Sequence, residues 1–204
     1  LPIGLAGLAI ASFVDSGLEL HWIARSQATD IGLILVSVPF IVQLLACVFS
    51  YLARDGAAGA ALGVIASTWL CLGLIHIVSR PGSVSGALGL LLLASGGALA
   101  LSSVAVGNAK PLPALVFLGA GIRFSLAGIY QLTAISTWQH ASGIVGLVIT
   151  GLAGYCVLAF ELESQRRLPV LPTFRWARGA TAIRGDADAQ LDRVANEAGV
   201  RQMS

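Results

Sequence analysis

The sequence predicts an all-α polytopic membrane protein, a bundle of six transmembrane helices. Three observations carry the prediction. Of 204 residues, 56% are hydrophobic and 11% charged, with a mean hydropathy of +0.86, whereas soluble domains carry about 25% charged residues. The apolar residues gather into six stretches of bilayer-spanning length. Several links between these stretches are short and made of turn residues, so neighbouring helices run antiparallel with no room for a soluble domain between them.

The first span runs from Pro2 to Trp22 and has no charged side chain before Asp15. As a helix it would be roughly 30 Å long, the thickness of a bilayer core. It is read as a span and not as a signal peptide, because it lacks a basic leading region and carries two acids near its end. The second span, Ile31 to Leu52, is interrupted by Pro39 and holds Gln43. The third is Ala57 to Val78 and the fourth Val84 to Val106. The fifth, Leu112 to Tyr130, has Arg123 inside it, and the sixth is Ser142 to Leu162. The links are Arg54-Asp55-Gly56, Arg80-Pro81-Gly82-Ser83 and Gly107-Asn108-Ala109-Lys110-Pro111. Residues 1–162 are therefore expected to form the transmembrane domain.

Residues 163–204 are expected to be a basic cytoplasmic tail, partly disordered. Prolines keep Arg166 to Pro172 from forming a regular helix. Phe174 and Trp176, beside Arg175 and Arg178, could rest on the lipid surface. Residues 186–200 read either as a short helix or as disorder. Seven of the twelve basic residues lie between Arg166 and Arg201, so the net charge of +2 is a topology signal, and no nucleic-acid partner is expected. With both termini cytoplasmic, the inside holds Arg54, Lys110 and the basic tail, and the outside holds Arg25 and Arg80. The expected location is the cell membrane, with Trp22, Tyr51 and Trp138 near span ends as interfacial aromatics.

The 24 glycines include Gly59 and Gly63 in the third span and Gly143, Gly146, Gly151 and Gly154 in the last. Small residues let helices approach closely in lipid. These faces either pack within one subunit or join subunits. Cys47, Cys71 and Cys156 each sit in an apolar span and are read as small packing residues. No metal site and no cofactor is expected.

Asp15 and Glu19 are four residues apart and share a helix face. A carboxylate at bilayer depth normally faces protein or water. The pair either borders a water-filled vestibule or, at Asp15, takes and releases a proton. Arg123 needs a partner at its depth. It either makes a fixed ion pair with Asp15 or Glu19, or clamps a carboxylate ligand, which guanidinium geometry suits. Gln43 either bonds between helices or lines a pore. His21, His76 and His140 lie near span ends and are unspecific. Ala94-Ser95-Gly96-Gly97 is similar to an intramembrane serine protease site, but the sixth span holds no histidine to serve as base. No catalytic residue is assigned and an enzyme is not expected.

Several motifs resemble the microbial acetate uptake transporters, or succinate–acetate permeases. Pro2-Ile3-Gly4-Leu5 is similar to the second half of that family's element at the start of the first helix. Gln43, Ala46, Phe49 and Tyr51 resemble its second-helix pattern, with Cys47 in place of a glycine and Ser50 in place of a glutamate. Trp69 matches the third-helix run, where Ile65 stands at a tyrosine and Thr68 at a phenylalanine. Gly146-Leu147, Gly151 and Tyr155 resemble the last-helix pattern, and Leu168-Pro169 or Leu171-Pro172 its terminal Leu-Pro. The resemblance spans Pro2 to Pro172. It implies a six-helix bundle, commonly a hexamer with a pore through each subunit, moving acetate or related short carboxylates with protons or as a channel. It also implies a hydrophobic pore constriction, with Leu8 and Ile65 at two of its positions and a third near Arg123 to Leu126.

The function expected is a membrane transporter or channel for acetate, succinate or related carboxylates, in a homo-oligomer within the lipid bilayer. Asp15, Glu19, Gln43 and Arg123 are the candidates for substrate binding or proton coupling. On this reading Arg123→Gln abolishes uptake and leaves the fold intact. The alternative is a non-transporting scaffold or sensor that uses its tail for partners.

Overall fold

Proline opens three of the helices, at the one place where its missing N–H has no partner to lose. The computed structural model describes residues 1–107, 110–166 and 170–174. Helix α1 is Pro2–Glu19, α3 is Pro39–Leu52 and α6 is Pro111–Thr133, each with proline in its first turn. A 3₁₀ turn, Arg25–Gln27, leads into α2, Ala28–Ser37. α2 and α3 form one broken rod, because Pro39 removes a backbone donor and Val38 between them sits at φ −113°, ψ −73°. α4 is Gly56–Val78, capped by the Asp55 side chain, which accepts from the Ala58 N–H at 3.4 Å. α5 is Gly86–Gly107 and α7 is Ser136–Arg166.

Five of these rods, counted among the described residues, are long and apolar enough to cross a membrane, the α2–α3 rod included. The protein is a multi-pass membrane protein. The remaining rod, α1, has 18 residues, about 27 Å at 1.5 Å per residue, and carries both acids. It stops at Glu19, short of the expected Trp22. The chain turns back there: His21 adopts a left-handed φ of 59° and the Trp22 N–H bonds to the Gly17 carbonyl at 2.9 Å. α7 overruns its expected apolar span at both ends, because hydropathy marks only its apolar middle while polar turns continue the helix on either side.

Each rod packs on two others, and the order of neighbours closes a ring: α1, α7, α6, α5, α4, the α2–α3 rod, and α1 again. Inside it lie fully buried apolar side chains, among them Leu5, Leu8, Leu62, Ile65, Trp69 and Phe117. Paired glycines bring neighbouring backbones together. A Cβ on Gly96 would lie 2.7 Å from the Gly121 carbonyl, and one on Gly121 would lie 2.8 Å from the Gly96 carbonyl; Gly32 and Gly73 notch α2 against α4 in the same way. Gly59 receives the Tyr51 ring and Gly63 faces Cys47, so both pack within the subunit, as do Gly143 and Gly146. Gly97, Gly151 and Gly154 face open space. At the end that holds Leu1, Lys110 pairs with Asp55 and ties the α6 entrance to the α3–α4 turn. The three cysteines are free. Tyr155 donates to the Pro172 carbonyl at 3.0 Å, which brings that segment back along α7. Trp176 and the expected helix at 186–200 lie outside the described residues.

Candidate functional site

Ser12, Asp15, Ser16 and Glu19 fall at i, i+3, i+4 and i+7 of α1, one stripe of a helix face. All four are buried, and α1 is held between α7 and α3. Arg123 reaches this stripe from α6, although α7 stands between α6 and α1 in the ring. Its Nη2 donates to Asp15 Oδ2 at 2.8 Å and to Glu19 Oε2 at 3.1 Å. α7 admits the guanidinium because Gly146 has no side chain: a Cβ there would lie 2.8 Å from Arg123 Nε and 2.1 Å from Ser16 Oγ. From the same helix the Ser142 hydroxyl donates to the Arg123 carbonyl at 3.3 Å.

The other face of the arginine is aromatic. Its Cζ lies 5.2 Å from the Trp69 ring centroid, and the Trp69 and Phe124 rings meet edge to face at 5.3 Å. Arg123 is 1% exposed and Trp69 0%. Several of their polar atoms have no protein partner: Arg123 Nε and Nη1 and Trp69 Nε1, with Ser12 Oγ and Ser16 Oγ nearby on α1. Two carboxylates face one guanidinium. Fully ionised, the group carries one surplus negative charge in apolar surroundings, which a bound proton would cancel.

A cavity of about 70 Å³ descends to this group from the end of the bundle that carries Arg25 and Arg80. That volume exceeds the roughly 10–15 Å³ one water needs. Both arginines line it, with Asp15, Glu19, Arg123 and Phe124 toward its floor. Beneath the floor, Trp69, Ile65, Leu62, Leu8 and Leu5 pack without exposed surface. The bundle is open at one end through a cavity large enough for water and closed by apolar packing below.

Of the residues singled out from sequence, Asp15, Glu19 and Arg123 come together. Of the two readings of Arg123, the ion pair is the arrangement formed. Gln43 stands apart: its Nε2 donates to the Gly4 carbonyl at 3.2 Å, roughly 16 Å along α1 from Asp15 at 1.5 Å per residue. It makes the inter-helix bond that was one of its two readings. Leu8 and Ile65 are buried in the apolar core below the floor, 1% and 0% exposed. His76 lines the cavity. His21 accepts from Arg25 Nη2 at 3.0 Å, and its ring meets His140 at 5.0 Å between centroids. Ser95 accepts a hydrogen bond from Thr68 at 2.9 Å.

Sequence reasoning missed Ser12 and the roles of Ser16 and Gly146. The spacing 12, 15, 16, 19 was the signal for the serines. Nothing local marks Gly146 among so many glycines.

The architecture has a solved counterpart. The structure matches that of the bacterial acetate channel SatP with a TM-score of 0.74 at 21% identity, over 84% of this chain and 96% of that one. No family model and no curated protein matches the sequence. The likeness establishes a shared all-helical membrane fold, and the expected resemblance to acetate uptake transporters holds at that level.

Proposed function

We propose that the chain is a transporter or channel for acetate or related short carboxylates such as succinate, coupled to protons through Asp15 and Glu19. The observation that carries this reading is Arg123, buried at the floor of a water-sized cavity and held by two acids on one nitrogen. The shared fold with an acetate channel supports it.

The chemistry runs as an exchange of partners. Arg25 and Arg80 at the mouth attract an anion. Both forks of a guanidinium include one nitrogen of the pair it shares, here the occupied Nη2, so a carboxylate held bidentately takes that nitrogen from Asp15 or Glu19. The displaced acid, left in apolar surroundings, takes a proton. One anion and one proton then enter together, and the charge at the floor is unchanged. The groups facing the acids are Arg123 from α6, Ser142 and Gln139 from α7, and Arg25, His76 and Arg80 across the cavity. Leu8 and Ile65 form the constriction that must part for passage. In this reading Gln43 holds α1 against α3. On the charge-based topology both termini are cytoplasmic, the cavity faces outward, and residues 163–204 are a cytoplasmic tail. The assembly is a homo-oligomer in the cell membrane, a hexamer by resemblance, with Gly151 and Gly154 as small residues left to meet a neighbouring copy.

The second reading is a non-transporting scaffold, in which the triad only ties α1 to α6. The unbroken apolar packing below Trp69 favours it. Uptake of labelled acetate, succinate and lactate into proteoliposomes, across a pH series, separates the two. Carboxylate-selective uptake that rises on acidification supports transport; no movement of any of them leaves the scaffold.

A further inference from the structure

We infer that the Trp69 indole N–H is a ligand group for the carboxylate, forming with Arg123 a binding site directly beneath the cavity floor. The inference rests on the carboxylate reading above and names a residue and a position within it. Arginine and tryptophan nitrogens donate and cannot accept. Arg123 Nε, Arg123 Nη1 and Trp69 Nε1 are buried with no partner in the protein. A buried donor left unmade is costly, and native packing rarely leaves several together. Only an acceptor satisfies donors of this kind, and a carboxylate that exchanges with Asp15 or Glu19 on Arg123 brings one.

The position suits a ligand descending the cavity. Arg123 and Phe124 form part of the floor, and Trp69 lies against both, its ring facing the guanidinium and meeting Phe124 edge to face. A carboxylate that takes Nη2 from an acid would sit against these rings, and the unpartnered indole N–H would bond its second oxygen. Leu72, Leu92 and Phe124 at the floor supply an apolar wall for a short alkyl end. The site therefore takes a small alkyl carboxylate in preference to chloride.

Two measurements test this. In a protein whose only tryptophan is Trp69, made by Trp22→Phe, Trp138→Phe and Trp176→Phe, acetate at pH 5 is expected to change the indole emission saturably, and chloride is expected to leave it unchanged. Trp69→Phe keeps a ring for the stack and loses the N–H. Its KM for acetate is expected to rise about tenfold with the maximal rate little altered, the loss of one hydrogen bond to a charged group. Wild-type uptake with no emission response, or an unchanged KM in Trp69→Phe, overturns the role of Trp69 and leaves the transport reading standing. A saturable emission response in a protein that moves no carboxylate keeps the site and removes the transport reading.

Discussion

Arg123 Nη2 lies 2.8 Å from Asp15 Oδ2, joining helices whose residues are 108 positions apart in the chain. The contact spans two rods that are not neighbours in the ring, and Glu19, one turn on, shares the same nitrogen. This single link ties α1 to α6 and places a charged group where the cavity meets the closed core.

Arg123→Gln tests the link as structure. Removing one partner of a buried ion pair costs about 3–5 kcal/mol, because the remaining charges lose their compensation. Sequence reasoning alone expects the fold to be untouched; with both acids on this arginine, a clear loss of thermal stability is expected at neutral pH, and a smaller one in acid, where the carboxyls can be neutral. The triple variant Asp15→Asn, Glu19→Gln, Arg123→Gln is expected to regain most of it. Thermal unfolding of the purified proteins checks this, and a triple variant as unstable as the single one would assign the loss to packing. Neither variant should take up acetate.

Gly146→Ala tests the gap through which the arginine passes. The added Cβ would lie 2.1 Å from Ser16 Oγ and 2.8 Å from Arg123 Nε, so overpacking of about 1–3 kcal/mol is expected. Combining it with Ser16→Ala should return part of the loss, since only the contact to the serine is relieved. Midpoints of thermal unfolding for the two variants and their combination measure the coupling.

The spans were legible because hydropathy reports burial in lipid without any knowledge of neighbours, and the break at Pro39 was legible because proline lacks a donor. Asp15 and Glu19 were legible as a pair from their spacing, and Arg123 from its depth. The choice between an internal pair and a ligand clamp for Arg123 was not, since it depends on which rods adjoin and on a single glycine of α7 standing between them. Gln43 illustrates the same limit: its place in the second span is plain, but whether it faces Gly4 or a cavity depends on helix rotation, which apolar spans on all sides leave unmarked. The ends of α7 escaped because a polar turn can be helical as readily as an apolar one.

Adjacent glycines on α5 should behave oppositely. A Cβ on Gly96 would meet Ser125 Oγ at 2.4 Å and the Gly121 carbonyl at 2.7 Å, whereas on Gly97 it would meet nothing within 4 Å. Gly96→Ala is expected to destabilise by about 1–3 kcal/mol. Gly97→Ala should be neutral or stabilising by up to about 1 kcal/mol, alanine being the better helix former. Unfolding midpoints in detergent decide it. A Gly97→Ala variant that loses stability, or changes its elution on size-exclusion chromatography, would show that this face packs against another copy.

Asp15→Asn carries the proton reading. In the wild-type protein two acids share one arginine, so an arriving carboxylate meets a floor with one surplus negative charge unless a proton is bound. Acidification supplies that proton, and uptake is expected to rise as pH falls from 7 to 5. The variant keeps Glu19 and Arg123 and balances their charges without a proton, so the acid requirement should weaken and the pH profile flatten. The measurement is initial uptake of labelled acetate by proteoliposomes, with the flux into protein-free vesicles subtracted at each pH, because undissociated acid crosses lipid unaided. Glu19→Gln should flatten the profile in the same way, since either carboxylate can serve the pair. A wild-type slope preserved in both variants would place the proton elsewhere, with His76 on the cavity wall the next titratable group to replace.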